Sequence, residues 1–122
     1  MAGSVALVGG DEFRAGCEEM DRAILSAAGA QNPNVLVVPT AAANENPDRA
    51  ASNGVDYFAR LGATASSLMA LDARQTNDER FLAPVDVADV IYYTGGSPSH
   101  LLATLAGSLL LEKTKRALDR GA

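Results

Sequence analysis

The sequence predicts an α/β domain built on a three-layer, doubly wound parallel sheet of about four strands. Two observations support this prediction: the alternation of two kinds of segment, and the length and hydrophobic content of the chain. Short apolar runs rich in β-branched residues alternate with longer segments in which apolar residues recur at helical spacing. The chain has 122 residues, 48% of them hydrophobic, which is enough for one core. We therefore expect a single α/β domain over residues 1–122.

The first apolar run, residues 5–8, predicts a strand that ends at the pair Gly9 and Gly10. Apolar residues at three- and four-residue intervals then predict a helix over residues 16–28, which Gly29 ends. We expect its buried stripe to consist of Met20, Ala23, Ile24 and Ala27.

The second run, residues 35–38, is apolar at every position, which is typical of a strand covered on both faces. Asn46 followed by Pro47 predicts a helix N-cap with proline at the first helical position. The expected buried stripe of this helix is Ala51, Val55, Phe58 and Leu61, and Gly62 is its expected stop.

The later elements continue the alternation of strand and helix. A weaker third strand is expected over residues 63–71, a short helix over 78–82, and a fourth strand over 90–93 that ends in Thr94-Gly95-Gly96. Ser97-Pro98 repeats the cap signal before a helix whose expected apolar face is Leu101, Leu102 and Leu105. A last helix over 108–120 is expected to bury Leu110, Leu111, Ala117 and Leu118.

Two strand ends carry double glycines, and these turns are the candidate site. In an open doubly wound sheet, ligands bind beyond the carboxyl ends of the strands where neighbouring connections go to opposite faces. A strand order of third, second, first, fourth places both glycine turns side by side. We expect a crevice there, with backbone N–H groups that approach an anion closely. Its expected lining is Gly9, Gly10, Asp11, Glu12, Thr40 and Ser97.

A simpler interpretation of each glycine pair remains open, because glycine pairs also make strand-to-helix turns that bind no ligand. Neither pair matches a phosphate-binding motif: Gly-Gly-Asp-Glu-Phe lacks the G-x-G-x-x-G spacing, and G-x-x-x-x-G-K-[ST] does not occur. Asp11 and Glu12 border the expected crevice, where a carboxylate engages a cationic group or caps the following helix.

Ser97 and His100 lie three residues apart, but the sequence does not favour a nucleophile–base pair. Such a pair needs a third group that orients the base, and no carboxylate lies nearby in sequence. We interpret Ser97 as a helix cap and His100 as a solvated surface residue. One histidine and the distant Cys17 fit no metal-ligand spacing, and Cys17 is expected to have a small buried apolar role.

The composition indicates which partners are not expected and which cellular compartment is expected. The net charge is −5 with both signs interspersed, so nucleic acid and anionic membranes are not expected partners. One cysteine excludes an internal disulfide and fits a reducing compartment, which makes the cytoplasm the expected location. The amino terminus has no basic region of a signal peptide, and no apolar run reaches the ~18 residues of a membrane span.

Four segments in order carry a resemblance to a known family. Residues 5–10 read Val-Ala-Leu-Val-Gly-Gly, 35–41 Val-Leu-Val-Val-Pro-Thr-Ala, 57–62 Tyr-Phe-Ala-Arg-Leu-Gly and 90–96 Val-Ile-Tyr-Tyr-Thr-Gly-Gly. Together they resemble the amino-terminal half of the peptidase family of dipeptidase E and cyanophycinase. That resemblance implies a flavodoxin-like fold similar to class I glutamine amidotransferases, with an incomplete sheet. It also implies Ser-His-acid chemistry without a cofactor.

By this resemblance, Gly95 and Gly96 supply backbone N–H groups to an oxyanion hole. The nucleophile belongs to a G-x-S-x-G turn after the next strand, so we expect no catalytic residue within this chain. The resemblance implies a small peptide or amide as substrate. Ser97-Pro98 departs from the more polar turn common after these glycines, which bears on substrate preference.

Two functions of different classes remain open at this point. The chain is either part of a larger serine peptidase-like hydrolase, truncated before its nucleophile, or a non-catalytic small-ligand binding or assembly module of the same fold. Either way, a fourth strand without a fifth beside it exposes unpaired backbone and side chains such as Ile91. We therefore expect self-association through the exposed sheet edge.

Overall fold

The computed structural model describes residues 2–8 and 10–122. Its three strands are β1 (Asn34–Val38), β2 (Thr64–Ser67) and β3 (Val90–Tyr93). Its α-helices are α1 (Glu18–Ala27), α2 (Pro47–Arg60), α3 (Pro98–Leu105) and α4 (Leu109–Asp119). Short 3-10 helices cover Ala15–Cys17, Thr40–Ala42, Gln75–Asn77 and Ala83–Val87.

The strands form a parallel sheet in the order β2-β1-β3, with β1 at its centre. Val35 lies opposite Ala65 on one side and opposite Val90 on the other. Every β1 residue from 35 to 38 is buried, as the uninterrupted apolar run predicted. Because β2 and β3 both run parallel to β1, all three strands end at the same edge of the sheet.

Helices cover both faces of the sheet. On one face, α1 and α2 pack a core that includes Leu25, Val35, Val37, Tyr57 and Phe58. The opposite face packs against α4 and the preceding loops, with Leu36, Val38, Leu82, Val85 and Leu110. The alternation of odd and even β1 residues between the two cores confirms the three-layer, doubly wound fold.

The predicted first strand is the main correction. Residues 5–8 form no strand, and Val5 and Leu7 are 71% and 92% exposed. β1 and β3 pair directly through four residue pairs, so the predicted place of the first strand between them is wrong, and the described residues contain three strands rather than four. A β-branched run identifies a segment able to form a strand but not its pairing partner, because pairing depends on distant residues.

The buried faces of two helices also differ from the prediction. In α1 the buried residues are Asp21 and Leu25, whereas Met20 is exposed. In α3, Leu102 is 72% exposed instead of packed. Helical spacing fixes which residues share a face, but the neighbouring elements decide which face is covered.

Local capping was predicted more reliably. Asn46 and Ser97 accept hydrogen bonds from backbone N–H groups of α2 and α3, as expected of N-caps. Gly62 ends α2 with φ +95°, a conformation that glycine adopts without strain. The expected helix over 78–82 is wrong, because the Asp78 carboxylate accepts from the N–H groups of Arg80 and Phe81 and holds a turn there. The third strand is also shorter than expected.

Candidate active-site crevice

The turn at Gly10 and the turn at Gly95 meet at one end of the sheet. The N–H of Gly95 donates to Glu12 Oε1 at 2.8 Å, although the two residues are 83 positions apart in sequence. Gly10, Glu12 and Gly95 line the same cleft. Gly9, which the sequence also places in the crevice, lies outside the described residues. The structure thus brings the two glycine turns together even though the first strand is not formed.

The turn that carries Glu12 has an unusual backbone conformation. Asp11 and Phe13 have φ of +48° and +65°, values that side chains with a Cβ rarely adopt. The Phe13 ring packs against Tyr92 and Tyr57, with centroids 5.1 and 5.6 Å away. Cys17 Sγ donates to the carbonyl oxygen of Asp11 at 3.3 Å. These contacts hold the backbone on both sides of Glu12.

The turn at Gly95 and Gly96 is held by the loop after β1. Gly96 has φ +148°, and a Cβ there would lie 2.2 Å from the carbonyl oxygen of Ala41. The N–H of Ser97 donates to that same oxygen at 2.7 Å. Gly95 is solvent-exposed, and a Cβ there would meet Glu12 Oε1 at 3.3 Å. The close approach explains why glycine is needed at position 96.

Ser97 and His100 do not form a catalytic pair. Ser97 Oγ accepts from the backbone N–H of His100 at 3.2 Å, which confirms Ser97 as the cap of α3. The His100 ring is half-buried, which corrects the expected solvated position. Its Nε2 lies 3.0 Å from the Leu71 carbonyl oxygen and 3.3 Å from Thr104 Oγ1. The ring therefore makes structural contacts, and neither of them involves the Ser97 hydroxyl.

The other predicted lining residues are Thr40, Ser97 and Asp11, and each has its own contacts. Thr40 is fully buried, and its Oγ1 donates to the Ala70 carbonyl oxygen at 2.6 Å, so it connects the loop after β1 to the loop after β2. Thr40, Ser97 and Asp11 lie outside the cleft that Glu12 and Gly95 line. The Asp11 carboxylate is exposed to solvent and lies 3.9 Å from the Arg14 guanidinium.

The cleft itself has a volume of about 670 Å³. It lies between residues 4–8 on one side and β3 and α4 on the other. Ile24, Ala27 and Ala28 of α1 also line it, which accounts for part of the apolar stripe that α1 does not bury in the core. Lys115 adds a cation to the lining. The lining is mostly apolar, and its polar groups include Glu12, the Gly95 turn, Lys115 and Asp89.

Buried polar groups that the sequence did not reveal lie beneath this turn. Tyr57 donates its hydroxyl hydrogen to Asp21 Oδ2, and Asp21 is fully buried. Within residues 2–8 and 10–122, Asp21 Oδ1 and the Tyr92 hydroxyl have no hydrogen-bond partner. Burial raises the pKa of Tyr92, and the negative charges of Glu12 and Asp21 raise it further. Tyr92 therefore stays protonated and available as a hydrogen-bond donor.

Clusters of metal-ligating side chains and helices of membrane-spanning length are both absent from the described part of the chain. No three His, Cys, Asp or Glu side chains there come close enough together to hold a metal ion. Among the same residues, no helix combines the length and apolar character needed to cross a membrane.

Comparisons with known proteins agree with the fold and extend along the whole chain. The model of Peptidase family S51 matches residues 5–122, which include all four segments of the resemblance. The chain is similar to the crystal structure of a peptidase from an acI-B1 Actinobacterium, with 28% identity and a TM-score of 0.89. That similarity covers 100% of this chain and 52% of that one, so the chain spans about half the length of the peptidase it matches. A comparison with curated proteins gave no match.

Proposed function

Because the chain belongs to peptidase family S51, we propose that it forms the oxyanion-binding part of a serine peptidase-like hydrolase. The substrate is a small peptide or amide, and the backbone N–H groups of Gly95 and Gly96 stabilise the negative oxygen of the tetrahedral intermediate. No cofactor is required for this chemistry.

One observation carries the proposal: the Gly95 N–H already donates to an anionic oxygen, that of Glu12, at 2.8 Å. An oxyanion hole needs donors about 2.7–3.1 Å from the negative oxygen. The Gly95 turn is exposed, so a substrate carbonyl reaches it from solvent. Its position is rigid, because Gly96 packs against the Ala41 backbone.

The attacking serine, in this proposal, is not among these 122 residues. Ser97 is occupied as a helix cap, and the ring of His100, the one histidine in the sequence, contacts Leu71 and Thr104 instead of a serine. The sequence contains no G-x-S-x-G turn. In this proposal, residues other than Ser97 and His100 act as the nucleophile and its base.

Activity labelling tests this assignment. We expect a fluorophosphonate probe to leave the 122-residue chain unlabelled and to label a G-x-S-x-G serine in the protein isolated from its source. Labelling of Ser97, checked against Ser97→Ala, would contradict the missing nucleophile. If the protein from its source bound small peptides but neither reacted with the probe nor hydrolysed them, the alternative of a ligand-binding module would replace the hydrolase.

A backbone variant tests the donor directly. In the active protein, Gly95→Pro removes the N–H, and we expect kcat to fall about 10²–10³-fold with little change in KM. Gly95→Ala keeps the N–H and is the matched control. Equal activity of the two variants would exclude Gly95 as an oxyanion donor.

We also propose that copies of this chain associate through the outer edge of β3. Within the described residues, β3 pairs with β1 on one side only, so its other edge presents unpaired backbone groups. The adjoining cleft is mostly apolar, and Val5 and Leu7 beside it are exposed. A second copy would pair with the free edge of β3 and cover Val5 and Leu7. The single cysteine supports the further proposal of a cytoplasmic location.

A further inference from the structure

We propose that the Gly95 turn is a carboxylate-binding subsite that Glu12 fills when no ligand is bound. The inference rests on the proposed function in one respect, because the Gly95 N–H is the same donor that is assigned there to the oxyanion hole. It adds the class of ligand, a small carboxylate, and identifies Glu12 as the group that the ligand displaces.

The group that now accepts from the Gly95 N–H, the side chain of Glu12, is itself a carboxylate. Glu12 Oε1 accepts from the Gly95 N–H at 2.8 Å, a distance typical of a charge-assisted hydrogen bond. No turn or helix brings these residues together locally, since 83 positions separate them. A carboxylate oxygen on this N–H is therefore compatible with the surrounding structure, and a ligand carboxylate can take the same position.

The second support is the conformation of the segment that holds Glu12. Its two neighbours, Asp11 and Phe13, both have positive φ. Such conformations are unfavourable for residues with a Cβ and cluster at ligand clamps and switch regions. The Phe13 ring is held among Tyr57, Phe58 and Tyr92, so the Glu12 side chain can leave Gly95 while the turn stays anchored.

The third support is a buried donor without a partner, on a residue that lines the same cleft. Tyr92 is 7% exposed, and its hydroxyl has no partner among the described residues. A buried hydroxyl without a partner is unfavourable, because it has lost its hydrogen bonds to water. Tyr92 lines the cleft together with Glu12 and Gly95. A ligand carboxylate has two oxygens, and in this proposal one accepts from the Gly95 N–H and the other from the Tyr92 hydroxyl. Lys115 and Asp89, of opposite charge, both line the cleft, so the two hydrogen bonds and not the net charge of the lining select the carboxylate.

The test is a titration of the chain with acetate, followed through the ¹⁵N-resolved amide signal of Gly95. Glu12→Ala removes the carboxylate that accepts from the Gly95 N–H. We expect acetate to bind this variant about tenfold more tightly than it binds the wild type, because the intramolecular competitor is gone. Glu12→Gln removes the charge but keeps an oxygen that accepts from Gly95. We expect its affinity for acetate to lie between those of the wild type and Glu12→Ala, because a neutral amide oxygen competes less strongly for the N–H than a carboxylate.

Asp11→Asn is the matched charge control, because the Asp11 carboxylate is adjacent and solvent-exposed. Its affinity for acetate should stay near that of the wild type, because Asp11 does not occupy the Gly95 N–H. Adding Tyr92→Phe to Glu12→Ala should weaken acetate binding about threefold through the lost hydrogen bond. Unchanged chemical shifts in the two cores would verify that each variant is folded.

Three results would overturn the subsite: no saturable change at Gly95 in Glu12→Ala, equal tightening in Glu12→Gln or Asp11→Asn, or no effect of Tyr92→Phe. Acetate is not hydrolysed, so these results are independent of catalysis. Loss of the hydrolase proposal would leave the acetate result standing. Failure to bind acetate in an active hydrolase would remove only the carboxylate subsite.

Discussion

The Tyr57 hydroxyl and the Asp21 carboxylate form a fully buried hydrogen bond between α2 and α1. It lies beneath the turn that carries Glu12, since Phe13 packs against the Tyr57 ring. The pair therefore links the covering helices of the sheet to the candidate site.

Tyr57→Phe should lower the free energy of unfolding by about 1–3 kcal/mol, because it leaves a buried carboxylate without its donor. Tyr92→Phe is the matched control. The Tyr92 hydroxyl has no partner in the described structure, so its removal should change stability by about 0.5 kcal/mol or less, or stabilise the fold. Urea denaturation measures both, and equal losses would contradict the assignment of the hydrogen bond.

Stability should fall at alkaline pH. Burial raises the pKa of Tyr57, Tyr92 and Tyr93, so the folded chain keeps protons that unfolded tyrosines lose near pH 10. The stabilisation is fully present below about pH 10 and is lost as the pH rises through the raised values. Denaturation midpoints and tyrosinate absorbance measure this dependence. Tyrosinate formation near pH 10 in the folded chain would contradict it.

Substitution by alanine should change stability very differently at the adjacent positions Gly95 and Gly96. Gly96→Ala places a Cβ 2.2 Å from the Ala41 carbonyl oxygen, a backbone atom that cannot move away, so we expect a large loss of stability, on the order of 3 kcal/mol or more. Gly95→Ala meets only the flexible end of Glu12, at 3.3 Å, and should cost about 1 kcal/mol or less. Thermal denaturation distinguishes them, and similar losses would show that the turn is not held against Ala41.

Self-association should depend on the segment beside the cleft. We expect the sedimentation-derived mass to rise above 12.6 kDa with concentration. Val5→Asp with Leu7→Asp should reduce association, because both side chains are exposed beside β3. Leu102→Asp, at an exposed apolar position on α3, is the control and should have little effect. A monomer at every concentration would contradict association through this edge.

Local signals predicted much of this fold. The apolar run at 35–38 and the caps at Asn46 and Ser97 were confirmed, since each depends on residues adjacent in sequence. Residues 5–8 have the same β-branched character but form no strand, because β3 takes the place beside β1. Sequence alone does not determine which strand takes that place.

The candidate site was predictable only in part. The glycine pairs indicated where a crevice would form, and Glu12 was expected at its border. The hydrogen bond between Glu12 and Gly95 joins residues 83 positions apart, so no local sequence pattern predicts it. Asp21 shows the same limit, because a carboxylate on a helix is usually solvated and only the Tyr57 hydroxyl makes its burial tolerable.

The most direct test of the central claim is the scalar coupling across the hydrogen bond between the Gly95 ¹⁵N and the Glu12 side-chain carboxyl ¹³C. If the two turns meet as described, this coupling is observed in the wild type and is absent in Glu12→Ala. A well-dispersed spectrum without the coupling, in which the Gly95 amide exchanges freely with solvent, would contradict the claim that Gly95 presents its N–H to an anionic oxygen.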